Sequence, residues 1–129
     1  MTLEEIAQSL PNGFHDSTIT GVRLDYVQRT AEMDIELWMS GSEDEDSEQY
    51  QTATLSITDL IYFVIEPPGV PNTSHGEASL VDGGSSELEQ FAFRLPKPLP
   101  AGAFTYWFFV SNWNCFIHVA ALSAEIAIH

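Results

Sequence analysis

The carboxy-terminal quarter of the chain constrains its fold more than any other segment. Residues 104–129 read FTYWFFVSNWNCFIHVAALSAEIAIH, which contains no lysine or arginine and a single acidic residue, Glu125. Aromatic and β-branched residues favour strands, and an apolar run of this length must be covered by the rest of the chain. We therefore predict central strands on either side of the polar segment SNWN.

Local signals predict the elements that cover these strands. Thr2 and Glu5 have the spacing of a capping box, which predicts a helix over residues 2–10. Period-two alternation over residues 22–26 and 33–39 predicts an antiparallel hairpin, and Ile19, which is out of phase with Val22, predicts a bulge at Gly21. Further strands are predicted at residues 53–58, 60–65, 78–81 and 91–95. The sum is one domain, residues 1–129, that is mainly β: an antiparallel sandwich or a partly open barrel of seven to eight strands with one short N-terminal helix.

The charge of the chain restricts its partners. Nineteen Asp and Glu residues face four Lys and Arg residues, for a formal net charge of −15. Nucleic acid and anionic membrane surfaces attract basic proteins, so both are disfavoured as partners. A basic protein is the partner that this charge favours.

The amino terminus and the cysteine content predict a cytoplasmic protein. The first ten residues, MTLEEIAQSL, are acidic where a secretory signal is basic and then apolar. No apolar run reaches the roughly 18 residues that a membrane span needs. The single cysteine, Cys115, excludes an internal disulfide, and its apolar neighbours predict a buried thiol.

An acidic segment at residues 40–50 supplies the first candidate binding residues. Five acids without a base resist ordering, which predicts a mobile loop. Such a loop complements a basic cleft in a partner. The five residues are Glu43, Asp44, Glu45, Asp46 and Glu48. They lack the D-x-[DN]-x-[DN]-G pattern of a calcium loop, so we predict no metal site and no cofactor.

His15 and Asp16 form the second candidate site. An imidazole beside a carboxylate can serve acid–base chemistry or metal binding, although neighbours on a strand point to opposite faces. The alternative is that Asp16 caps a turn while His15 packs against the hairpin. An enzyme would need a distant partner such as His118. The sequence contains no motif for a nucleophile, a phosphate loop or a zinc site, so no catalytic residue is predicted. Trp113 is expected at an exposed hairpin tip and is the last binding candidate.

Residues 10–39, LPNGFHDSTITGVRLDYVQRTAEMDIELWM, resemble small, mostly uncharacterised bacterial proteins that open with a short helix, an F-H-D-[AS] element and a β-hairpin. His15, Asp16 and Ser17 are the matching positions. The closing strands of such proteins carry aromatic and small residues, as residues 108–126 do here. Some proteins of this kind are immunity proteins, which bind and silence a cognate toxin. The resemblance implies a bacterial binding protein and assigns no catalytic role to the matching residues.

Three functions follow, and the first is favoured. In the first, the chain is a non-enzymatic, immunity-like protein that binds a basic protein. In the second, it is a homodimer subunit that hides an apolar sheet edge, and Tyr26, Trp38 and Trp113 are the aromatic residues expected to be exposed. The third alternative is a small enzyme, or a small-molecule or metal-binding domain, that uses the His15–Asp16 region.

Overall fold

The structure is a computed structural model that describes residues 1–39, 49–69, 78–85, 96 and 98–129. Its elements are α1 Leu3–Ser9, β1 Thr18–Asp25, β2 Thr30–Trp38, β3 Tyr50–Ile65, β4 Ala78–Gly84, β5 Phe104–Val110 and β6 Cys115–Ile128. The prediction of a mainly β chain with one short N-terminal helix is confirmed. The helix found in the described part of the chain is too short to cross a membrane.

The six described strands form one antiparallel sheet in the order β1-β2-β3-β6-β5-β4. Two residue pairs, Thr18 with Ser79 and Ile19 with Ala78, join β1 to β4 and bring the ends of the sheet together. Neither a second sheet nor a seventh strand is found within these described residues. The strand predicted at residues 91–95 lies outside them.

The carboxy-terminal hairpin forms the centre of the core, as predicted. Alternate residues of β5 are buried, and each faces a buried residue of β6 across the ladder. These pairs are Phe104 with Ala121, Tyr106 with Val119, Phe108 with Ile117 and Val110 with Cys115. We call the side of the sheet that carries them the inner face. The polar segment 111–114 closes the hairpin, with a hydrogen bond of 3.2 Å from the Asn114 amide to the Ser111 carbonyl.

The two predicted strands at 53–58 and 60–65 are one strand in the structure. β3 pairs with β2 through its first half and with β6 along most of its length. A bulge between Leu60 and Tyr62 interrupts the second ladder, and Asp59 has a left-handed backbone with φ of 51°. The strand continues because the long partner β6 supplies hydrogen bonds on both sides of the bulge.

The N-terminal hairpin also follows its prediction. The register of β1 against β2 shifts between Ile19 and Gly21, which confirms the bulge at Gly21. Asp25 closes the turn, since its side chain accepts hydrogen bonds from the amides of Val27 at 3.0 Å and Gln28 at 2.9 Å. This arrangement is an Asx turn.

The helix is fixed to the sheet at its amino-terminal end and along its buried face. Thr2 and Glu5 form the predicted capping box, with bonds of 3.0 and 3.3 Å between side chain and backbone. The Met1 carbonyl accepts a hydrogen bond of 2.7 Å from the Ala124 amide of β6. Leu3 and Ile6 are fully buried in the core. The polar side of the helix therefore lies at a fixed position beside the sheet.

Candidate functional site

A cleft of about 230 Å³ lies where α1 and the segment that follows it meet β4 and β5. We call it the α1–β4 cleft. Its position follows from Phe14, whose ring packs edge-on against Tyr106 and Phe108 at centroid distances of 6.0 and 5.4 Å. The lining residues are Glu4, Ala7, Gln8, Asn12, Gly13, Phe14, His15, Asp82, Gly83 and Tyr106.

Consecutive turns place His15 at the rim of this cleft. The His15 amide donates to the Asn12 carbonyl at 3.1 Å, and the Ser17 amide donates to the Phe14 carbonyl at 3.2 Å. Phe14 is thereby directed into the core while His15 stays more than half exposed. The chain is a turn here rather than a strand, which removes the expected divergence of neighbouring side chains.

His15 and Asp16 consequently contact each other. The His15 Nε2 and Asp16 Oδ2 atoms are 3.4 Å apart, and both side chains are about half exposed, at 54% and 50%. Asp16 has a φ of 59°, a conformation that Asp tolerates better than most residues. The expectation that these neighbouring side chains point to opposite faces is therefore wrong: imidazole and carboxylate are paired, on a solvated surface at the cleft.

Tyr106 reaches the same cleft from the inner face of β5. Its side chain is 5% exposed, and burial, followed by the charges of Glu4 and Asp82, raises the pKa of its hydroxyl well above the usual range. The hydroxyl therefore stays protonated.

His118 lies elsewhere. It is on the outer face of β6, since its neighbours Ile117 and Val119 belong to the inner face. Its Nε2 atom is 3.4 Å from Glu66 Oε2, its ring stacks on Phe116, and it is 5% exposed. His118 is not part of the α1–β4 cleft. The two histidines are packed separately, so the enzymatic alternative loses the partner that it needed.

The other predicted site residues are not brought to the cleft. Glu43, Asp44, Glu45, Asp46 and Glu48 lie outside the described residues. No group of three or more His, Cys, Asp and Glu residues suited to a metal ion occurs in the described part of the chain.

Trp113 lies at the tip of the β5–β6 turn and is 39% exposed, as its sequence context predicted. It borders an apolar pocket of about 200 Å³ that also includes Ile65, Val110 and Cys115. Cys115 is a free, buried thiol, which confirms its prediction; burial, and to a smaller degree the charge of Glu66, raises its pKa.

The aromatics proposed for a dimer surface differ from one another in exposure. Tyr26, in the β1–β2 turn, is 88% exposed. Trp38 is half-buried, and its indole Nε1 atom is fully buried without a hydrogen-bond partner among the described residues. The homodimer stays a prediction.

Negative charge is only weakly compensated on the described surface. Arg23 binds Asp34 and also contacts Glu32, at 2.8 Å. This arginine is therefore occupied within the chain. Its hydrogen bonds lower the pKa of Asp34, so that carboxylate remains charged.

Sequence reasoning missed the contribution of Asp82, Gly83 and Tyr106. The strand predicted at residues 78–81 stops short of Asp82 and Gly83, whereas β4 continues to Gly84, and Tyr106 was placed only within the apolar segment 104–129. Glycine inside a strand also marks a close approach of another group, which was the available signal. Which group approaches Gly83 depends on the pairing of β4 with β5, and no local pattern reports that pairing.

Comparison with protein-family models, with curated proteins and with solved structures finds no match. The resemblance of residues 10–39 to immunity-like bacterial proteins therefore stays a prediction.

Proposed function

We propose that this chain is a non-enzymatic acidic protein that binds a basic protein partner, in the manner of an immunity protein. The observation that carries the proposal is the charge: 19 acids against four bases, with one of the bases, Arg23, already bound by Asp34 and Glu32. Such a surface attracts a cationic partner, speeds association and disfavours anionic competitors.

The fold supports binding because it offers a stable scaffold for exposed polar segments. We take it to be a partly open barrel, an inference supported by the two-residue ladder between β1 and β4. The separate packing of His15 and His118 favours binding over catalysis, since acid–base catalysis needs groups that converge on one point.

The test begins with capture of partners from a lysate of the source cells at low and high salt, with the intact chain as bait. We expect a basic protein that binds at low salt, elutes at high salt and then binds the purified chain with a defined stoichiometry. Either an empty capture or an acidic partner would contradict the proposal.

The second step measures the association rate of the captured partner with a five-site variant, E43Q/D44N/E45Q/D46N/E48Q. The rate should fall, and its dependence on salt should weaken, because steering depends on the removed charges. The control variant Glu36→Gln/Glu125→Gln removes exposed acids from β2 and β6 and should have the smaller effect. A five-site variant that associates as fast as the native chain counts against the acidic segment.

A further inference from the structure

We propose that a second cleft binds a free α-amino acid with a large apolar side chain, with Arg29 receiving its carboxylate and Asp59 its ammonium group. This cleft has a volume of about 620 Å³ and lies where the β1–β2 turn meets β3. We call it the β1–β3 cleft. The inference goes beyond the proposed function, since it needs no protein partner and uses neither the acidic segment nor the α1–β4 cleft.

The floor of the β1–β3 cleft is apolar. Leu60 and Phe63 line it from β3 and pack against the core, so the floor is a fixed part of the sheet. Two further lining residues are exposed: Leu122 of β6 at 42% and Tyr26 of the turn at 88%. Burial of such apolar surface by a ligand is favourable. The volume also lies within the range of about 300–1,000 Å³ that small-molecule sites occupy.

Two opposite charges line the same cleft without pairing with each other. Arg29 ends the β1–β2 turn and Asp59 lies at the bulge of β3, and the next residue, Leu60, donates its amide to the Arg29 carbonyl at 2.9 Å. Neither charged side chain has an ion pair or a hydrogen bond within the described residues. Arg23, the other arginine that the structure describes, is by contrast bound by two acids of β2. The donors of Arg29 and the carboxylate of Asp59 are therefore available to a ligand.

The backbone at these two residues is an independent sign of a binding site. Arg29 has a φ of 56° and Asp59 a φ of 51°, both in the left-handed region. Glycine adopts this conformation without steric cost, and Asp tolerates it better than most residues, but a side chain such as that of arginine is strained there. Arginine at the end of the turn therefore does not improve the turn itself. Residues strained in this way concentrate at ligand-binding sites.

The charges and the floor together select the ligand. A free α-amino acid carries a carboxylate and an ammonium group on one carbon atom, so it can bind Arg29 and Asp59 at once while its side chain covers the apolar floor. It has no net charge, so the net charge of −15 does not oppose its binding, whereas a simple carboxylate is repelled. Asp25 also lines the cleft, but its Oδ1 atom already accepts two amides of the turn.

The probes are L-phenylalanine, L-tryptophan and L-leucine, titrated into the full chain and followed through its backbone amide NMR signals at constant ionic strength. We expect saturable shifts centred on the amides of Arg29, Leu60 and Leu122. Phenylalaninamide lacks the carboxylate and N-acetylphenylalanine lacks the ammonium group, so each should bind at least roughly threefold more weakly than phenylalanine, as expected for loss of one exposed charged contact. Free glycine lacks the apolar side chain and should give no saturable shift.

The proposal is wrong if none of the three apolar amino acids gives a saturable shift. Binding of either phenylalanine derivative as tightly as phenylalanine itself would also overturn it, because one of the two charges would then be unused. Saturable binding of free glycine would show that the apolar floor does not contribute.

Two variants suited to the left-handed backbone separate binding from folding. Arg29→Gly and Asp59→Asn each remove one charge, and each new residue tolerates the conformation of the old one. Both variants should bind phenylalanine at least roughly threefold more weakly and unfold at a temperature no lower than that of the native chain. Arg23→Gln and Glu125→Gln remove matching charges outside the cleft and should bind phenylalanine as the native chain does. Unchanged affinity in the Arg29→Gly variant, or an equal loss in Arg23→Gln, would contradict the site.

Discussion

Gly83 and Tyr106 fit together only because Gly83 has no side chain. A β-carbon at Gly83 would lie 2.8 Å from the Tyr106 hydroxyl oxygen and 3.1 Å from the carbonyl oxygen of Trp107. The first neighbour is the end of a packed ring, and the second is backbone of the adjacent strand.

Gly83→Ala should therefore destabilise the protein by about 1–3 kcal/mol, the usual cost of overpacking. The free energy of unfolding is measured by denaturant titration. Gly21→Ala is the matched control, because a β-carbon there would meet only Asp34 Oδ2 at 3.5 Å, an ordinary contact. Equal losses in the two variants would contradict the close approach at Gly83.

Because buried and exposed residues alternate along β3, substitutions at neighbouring positions should differ greatly in their effect on stability. Leu55 is fully buried on the inner face, and its replacement by Ala should cost about 2–5 kcal/mol through lost burial and a residual cavity. Ser56 lies on the other face, and Ser56→Ala should change stability by about 0.5 kcal/mol or less. Thermal and denaturant unfolding of both variants check the register; similar losses would show that it is wrong.

Arg23→Gln should raise the pKa of Asp34. The hydrogen bond from Arg23 is the largest cause that holds this pKa below its usual value, with a smaller contribution from Thr54. A folded pKa below the unfolded one means that Asp34 stabilises the protein above the unfolded pKa and loses this contribution as the pH falls through the folded pKa. The variant should lose less stability on acidification.

Carbon-13 NMR titration of the Asp34 carboxyl group measures this shift directly. Arg29→Gln serves as the control, since Arg29 is not among the groups that shift Asp34. An Asp34 pKa that does not move in Arg23→Gln would show that the pair is not formed in solution.

Cys115 should react slowly with iodoacetamide in the native protein. The thiol is 3% exposed and its pKa is raised by burial, so both access and the thiolate fraction are low. We expect native alkylation to be roughly a hundredfold or more slower than alkylation of the urea-unfolded chain at the same pH. Mass spectrometry over time measures both rates, and equal rates would be incompatible with a buried Cys115.

Glu66 supports the β6 strand through both of its oxygens. Oε1 accepts the Phe116 amide at 2.9 Å, while Oε2 lies 3.4 Å from His118 Nε2. Glu66→Ala should cost about 1–3 kcal/mol, because it leaves polar groups without this partner. Glu66→Gln retains an acceptor oxygen and should lose less in the same unfolding experiment. A larger loss in the Gln variant would contradict this role.

The elements that were predicted well depend on interactions within a few residues. The capping box of Thr2 and Glu5, the bulge at Gly21 and the apolar, aromatic run at residues 104–110 all leave a local pattern in the sequence. The continuity of β3 could not be predicted in this way. Its bulge near Asp59 is bridged by hydrogen bonds to β6, which lies far along the chain.

The sequence by itself determined the acidic charge and the mainly β, antiparallel character of this protein, because composition and period-two alternation are properties of the chain. Only the tertiary structure decided that Glu4, Asp82 and Tyr106 meet at one cleft and that His15 lies beside Asp16, apart from His118. Convergence of residues from α1, β4 and β5 depends on strand register and on the packing of Phe14 against the inner face. Those are long-range contacts, and they are established only when the sheet has formed.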